Sequence, residues 1–213
     1  MLQLKNYRKR SFETMKRISF KDSGGLNLTQ DVLAGRKTMT RRVVKGLPEH
    51  FVVGGRSIST GKWGVQLEDG TRQWLRPPYE VGDVVAIQQA YRDAIGEFFF
   101  EGSSVEKKFK HTAGWTNKMF VKAEYMPHHI RITDVSVEQL RDISDVDCMR
   151  EGVQPVWNTT TKPHSVSSYY FDGADYVYAT PSKAFAALID KVCGRGTWES
   201  NPLVLVYSFV LID

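Results

Sequence analysis

Four cationic side chains and two hydroxyls fall within eight consecutive residues, Gly35-Arg36-Lys37-Thr38-Met39-Thr40-Arg41-Arg42. A cluster of this type holds anions or sits solvated at a helix exit. A second position breaks a local rule. Glu151 ends a predicted helix just before Gly152, where negative charge opposes the helix macrodipole. The ordinary fate of such a residue is a solvated carboxylate before a C-capping glycine, but rules broken locally also mark functional positions. Tyr79, Tyr91 and Trp115 are of a type that stacks on bases, although Tyr91 reads better as core. His128 and His129 are adjacent; on a strand they face opposite ways and cannot chelate one metal together.

The elements that must position these residues follow from spacing. Asn27–Ala34 reads as a helix with Asn27 as N-cap, Gln30 as its capping-box partner, and Leu28, Val32 and Leu33 on one face. Gly35 suits the left-handed position past the helix end, so the basic segment leaves a C-terminus that favours cations. Ser144 is the N-cap and Asp147 the reciprocal acid of the helix that ends at Glu151-Gly152. Pro181 to Val192 is an amphipathic helix that turns Phe185, Leu188, Ile189 and Val192 inward.

The 213 residues carry a net charge of +5, with a pI near 9.1. That permits a polyanionic partner without requiring one. The first 21 residues hold Lys5, Arg8, Lys9, Arg10, Lys16, Arg17 and Lys21 against a single acid, Glu13. No stretch has the length of a membrane-spanning helix, and no apolar secretory leader opens the chain. Cys148 and Cys193 show neither disulfide nor zinc spacing. A cytoplasmic protein without cofactor or metal is expected, and no membrane partner.

The spacing Gly-x-Lys-x-x-Thr-x-Arg, filled by Gly35, Lys37, Thr40 and Arg42, resembles the signature of the ASCH domain, a member of the PUA-like superfamily. The similarity runs in order from about residue 15 to the end. It takes in Met15–Phe20, Pro78–Ile87 with its Tyr79-x-x-Gly82-Asp83, Met126-Pro127 with Arg131-Ile132, Leu140–Ser144, Glu151-Gly152 and Gly196–Pro202. The chain resembles the longer phage and bacterial ASCH proteins and, in the signature, the small hydrolases of N4-acetylcytidine. One departure is Gln89, which stands where many relatives have Glu, so an acid or metal role there weakens to hydrogen bonding.

The resemblance implies an α+β fold, a PUA-like mixed β-barrel with flanking short helices and loop insertions. It implies catalytic roles for Lys37, Thr40 and Glu151. Binding of substrate or nucleic acid falls to Gly35, Arg36, Arg41, Arg42 and Tyr79. In that scheme Thr40 is the nucleophile or orients a water, and Lys37 is the base if its pKa falls by roughly three units from about 10.4. Arg36, Arg41, Arg42 and burial push it down; Glu151 pulls it up, so the pair titrates together. Arg42 binds an oxyanion or a phosphate.

Along the chain, residues 1–14 are expected to be a basic extension, and 15–213 one domain with insertions near 43–78, 92–119 and 153–180. The first insertion contains a hairpin turning at Glu68-Asp69-Gly70-Thr71. The second is irregular and aromatic-rich, and the third is a long aromatic loop. Strands are expected at Ile18–Phe20, Asp83–Tyr91, Phe120–Glu124, Ile130–Val137 and Leu203–Ile212. The function implied is binding of RNA or a modified nucleoside with hydrolysis of an N4-acetylcytidine-like amide. The alternative is a binding module for RNA or a modified base without turnover, and a third reading is a ribonuclease, for which no metal-ligand cluster is evident.

Overall fold

A computed structural model describes residues 15–48, 51–57, 61–98, 104–160, 163 and 165–213. The expected extension at 1–14 lies outside these residues, as do Phe99 and Phe100. The order of elements is β1 (Lys16–Ile18), α1 (Leu28–Leu33), β2 (Met39–Val43), β3 (Phe51–Arg56), β4 (Trp63–Leu67), β5 (Arg72–Trp74) and β6 (Val84–Ile87). It continues with α2 (Tyr91–Phe98), α3 (Ser104–Phe109), β7 (His129–Gln139), α4 (Asp145–Arg150), β8 (Gln154–Asn158) and β9 (Ser165–Tyr170). The chain closes through α5 (Pro181–Cys193), α6 (Thr197–Ser200) and β10 (Leu203–Leu211). The fold is α+β, and no helix among the described residues is long and apolar enough to cross a membrane.

The main sheet has five strands in the order β1-β6-β7-β10-β2. β1 runs parallel to β6, and the other neighbours are antiparallel. β10 lies between β7 and β2, and Leu203 through Phe209 are all buried, the continuous apolar pattern of a strand covered on both faces. On the sheet packs α5, with Ala184, Phe185, Leu188 and Ile189 in the same core as Ile18, Val85, Ile130 and Val206. Its start follows the expected chemistry. Pro181 is at the first position, and the Thr180 hydroxyl accepts from Lys183 N at 3.2 Å.

Within the described residues the sheet is open where a closed barrel was expected. Its edges are β1 and β2, with no ladder between them. β1 is three residues long, and its one ladder is with β6. A side chain spans the gap instead. Arg42 Nη2 donates to Ser19 O at 2.7 Å, and its guanidinium lies 5.7 Å from the Phe20 ring centre.

Other expectations change for local reasons. The strand from Asp83 stops at Ile87, and Tyr91 opens α2. Tyr91 is core, as expected, packed with Phe109 and Tyr125. The described residues within 92–119 are largely helical rather than irregular. Phe120–Glu124 is not a strand but parts of two 3₁₀ turns, and its amides bond outside any ladder: Phe120 N reaches Asn117 O, and Lys122 N reaches the Tyr91 hydroxyl. The expected loop at 153–180 contains the β8–β9 hairpin, to which Tyr178 adds a bridge at Tyr169. Asn27 caps nothing with its side chain; Asp22 takes that place, accepting from Thr29 N at 2.8 Å. The hairpin at Glu68–Thr71 does form, between β4 and β5, and β3 completes a separate three-stranded sheet. Val43 belongs to β2, so that insertion begins after it.

The turn before α1 and the loop after β9 touch through two glycines. A Cβ on Gly173 (φ +87°) would sit 2.2 Å from Gly25 O, whereas one on Gly35 (φ +72°) meets nothing within 4 Å. Both substitutions strain the backbone, but only one also forces two segments apart. Gly35→Ala is expected to lower unfolding free energy by about 1 kcal/mol, and Gly173→Ala by about 3 kcal/mol or more. Urea denaturation of the two variants checks the order; equal losses would remove the close approach as a constraint.

Candidate active site

Three elements meet at Lys37. Gly35 lets the chain turn out of α1 in the left-handed region. Lys37 N then donates back to Asp31 O at 2.9 Å, Thr38 N donates to Arg150 O at 2.8 Å, and Thr38 O accepts from Phe209 N at 3.0 Å. These bonds fasten the start of β2 to the end of α4 and to β10. Along β2, Thr40 lies opposite Tyr207, and Arg42 opposite Leu205.

Lys37 is only 3% exposed and Glu151 4%. Lys37 Nζ donates to Glu151 Oε2 at 2.5 Å and to Glu151 O at 2.9 Å. Arg41 Nη1 donates to the other carboxylate oxygen, Oε1, at 3.2 Å. Arg41 is itself held by Glu138, whose Oε1 accepts from Nε at 2.8 Å, with Nη2 at 2.7 Å from that oxygen and 3.6 Å from Asp147 Oδ2. Its guanidinium lies 5.9 Å from the Phe185 ring centre. Glu151 is therefore not the solvated carboxylate that its place at a helix end suggests. The adverse macrodipole is offset by two cations, one of which also takes up a helix-end carbonyl.

Burial lowers the Lys37 pKa from its ordinary 10.5, with the Glu151 charge and hydrogen bond opposing and Arg42 adding to the lowering. Arg36 and Arg41, expected to help, are paired with carboxylates, Arg41 with Glu138 and Glu151 and Arg36 away from the cluster. Arg36 donates twice to Asp31 Oδ1, at 2.9 and 2.7 Å, and reaches Asp172 at 3.3 Å.

Beside this cluster opens a cavity of about 440 Å³ lined by Lys37, Thr40, Arg41, Arg42 and Glu151, with an apolar wall from Phe20, Leu28 and the inner face of α5. Thr40 is buried, and its hydroxyl takes no hydrogen bond among the described residues. The structure thus brings five of the eight expected residues to one cavity. Gly35, Arg36 and Tyr79 do not line it. Tyr79 donates its hydroxyl to Arg17 O at 2.6 Å and sets its ring edge-on to Tyr207 at 5.2 Å. Its ring is a packing element between β1 and β10. Gln89 is buried and likewise does not line the cavity.

The sequence reading missed Glu138 and Phe185 as parts of this site. Phe185 was legible as core, and its contact with a guanidinium was not. Nothing near Glu138 in the chain signals its partner 97 residues away. Among the described residues no group of three or more His, Cys, Asp or Glu is placed to hold a metal ion. A buried amine of lowered pKa, a free hydroxyl and guanidinium donors around one cavity are a set suited to acyl transfer.

No family model matches the chain, and none of the curated proteins does. Among solved structures the chain is similar to protein EF3133 from Enterococcus faecalis V583, of family-model DUF984. The likeness covers 100% of this chain and 91% of that one, at 14% identity and a TM-score of 0.41. At that level it adds nothing to the reading of the site.

The direction of the Lys37 shift fixes a pH dependence. Between the lowered native pKa and the ordinary 10.5, the unfolded chain holds a proton at Lys37 that the native chain has lost, so stability rises with pH across that window. The unfolding free energy of wild type minus that of Lys37→Met should climb with pH in this range and level off above it. Denaturant titrations from neutral pH to pH of about 10.5 measure it. A flat or falling difference would show that the native protein keeps the ammonium.

Proposed function

We propose that the chain is a PUA-like protein of the ASCH type that binds RNA or a modified nucleoside over β2 and hydrolyses the amide of an N4-acetylcytidine-like substrate. The observation that carries the reading is the 2.5 Å contact of Lys37 with Glu151 inside the cavity that Thr40 also lines. The mixed sheet supports the fold part of it, with Arg42 reaching from β2 to Ser19, the residue after β1.

In this reading the Lys37 amine takes the proton of the Thr40 hydroxyl as Oγ1 attacks the acetyl carbonyl. Lys37 then returns the proton to N4 as the C–N bond breaks, and cytidine leaves. Water, deprotonated by the same amine, attacks the acyl–Thr40 ester; as its C–O bond breaks Lys37 gives that proton to Thr40 Oγ1 and acetate leaves. Glu151 holds the Lys37 ammonium in place between the two transfers.

A second reading, a binding module without turnover, is favoured by one feature. Lys37 donates to both the carboxylate and the carbonyl of Glu151, as a purely structural ammonium does.

Incubation with N4-acetylcytidine, followed by chromatography, separates the two. Wild type should release cytidine, and Thr40→Val, which keeps the shape and removes the hydroxyl, should lose at least about 10²-fold in kcat. It should keep substrate affinity within about threefold. Undiminished turnover by Thr40→Val would remove the nucleophile, and absence of cytidine with retained binding would leave the module.

A further inference from the structure

The charges around the cavity do not balance. Of its cationic lining, Lys37 and Arg41 are matched by Glu151, Glu138 and Asp147. The remaining cations are matched by no carboxylate. Lys21 donates only to the carbonyls of Lys191 and Val192, at 2.9 and 3.1 Å. Arg42 uses Nη2 on Ser19 O and has no other hydrogen bond among the described residues. Lys45 is exposed and has no partner among them. Glu151 is the one acid in the lining, and it is already taken by two cations.

Three cations without a carboxylate partner line one cavity that also has an apolar wall, and together they match a ligand with an apolar part and an anionic end. Guanidinium and ammonium groups bind phosphate oxygens by charge-assisted hydrogen bonds. A neutral nucleoside would leave all three without a counter-charge.

We propose that Arg42, Lys45 and Lys21 form a phosphate subsite, so that the ligand of this cavity is a phosphorylated nucleoside rather than a free one. The inference rests on the nucleoside reading above and extends it. The phosphate has two sources, the terminal monoester of a nucleotide or the internal diester of RNA. Lys45 lies two residues beyond β2, past Val44, and lines the same cavity.

Calorimetric titration with four probes tests it: cytidine, cytidine 5′-monophosphate, the dinucleoside monophosphate CpC, and ribose 5-phosphate. Wild type should bind a phosphorylated cytidine on the order of tenfold more tightly than cytidine, and less so as salt rises. An advantage for the monoester alone assigns a free nucleotide, and one for CpC assigns RNA. In Lys45→Ala, a surface change that the fold tolerates, the ratio of phosphorylated to unphosphorylated affinity should fall at least threefold. Equal binding of cytidine and both phosphorylated forms overturns the phosphate subsite and leaves the base-binding reading intact. Ribose 5-phosphate binding as tightly as the nucleotide, with cytidine not bound, keeps the subsite and overturns the nucleoside reading. A ratio unchanged by Lys45→Ala overturns the assignment of these residues.

Discussion

The ion cluster of Lys37, Glu151 and Arg41 is the constraint from which the rest of the site follows. Each of these side chains is nearly inaccessible. Taking one such charge out of water costs several kcal/mol, and only well-placed partners offset it. The offset here needs Lys37 at one carboxylate oxygen, Arg41 at the other, and Glu138 behind the guanidinium. Those groups come from the segment after α1, from β2, from β7 and from the end of α4. No pair of these elements can shift without exposing a buried charge to a partner that is no longer there. The cluster therefore does for the β2 edge what a neighbouring strand does elsewhere in the sheet.

That arrangement also sets the chemistry. An amine surrounded by water would stay protonated near its ordinary pKa, and one buried alone would lose its charge altogether. Lys37 stands between these limits. Burial lowers its pKa, and Glu151 keeps a charged form accessible. The apolar inner face of α5, with Phe185 and Leu188 on the cavity, supplies the low polarity on which the lowering depends. A helix that looks purely structural in sequence is thus part of the site's electrostatics.

What the sequence revealed follows the range over which each signal acts. α5 was legible because Pro181 and its apolar spacing lie within one element, and β10 because a strand covered on both faces is apolar throughout. The signature residues Lys37, Thr40 and Arg42 were legible through a resemblance, as was Glu151 less directly. β2 was not. Its Met-Thr-Arg-Arg-Val has no apolar alternation, because partners from β7 and α4, not apolar neighbours, make its arginine at 41 buriable. The cap of α1 was misassigned for a similar reason. Asp22 reaches Thr29 across a turn, where only the residue adjoining the helix was in view. The β8–β9 hairpin escaped because Ser165-Val166-Ser167-Ser168-Tyr169-Tyr170 reads as loop by polarity while its valine and tyrosines favour strands.

Two neighbouring arginines make the division of labour clear. Arg41 and Arg42 are consecutive on one strand, yet the charge of Arg41 is answered by carboxylates and that of Arg42 is not. Arg41 has its guanidinium against Phe185 and three carboxylates around it, so its charge is used to hold the protein together. Arg42 gives one N–H to a backbone carbonyl and lies against Phe20. A carbonyl fixes the orientation of a guanidinium without cancelling its charge. Such a group is preorganised: its side-chain freedom is already lost in the free protein, and an anion arriving at the cavity need not order it. A lysine would keep the charge at either position but not the fork that serves several acceptors in one plane. The basic stretch that first drew attention is therefore two devices interleaved in one strand, a buried clamp and an uncompensated, oriented cation beside the cavity.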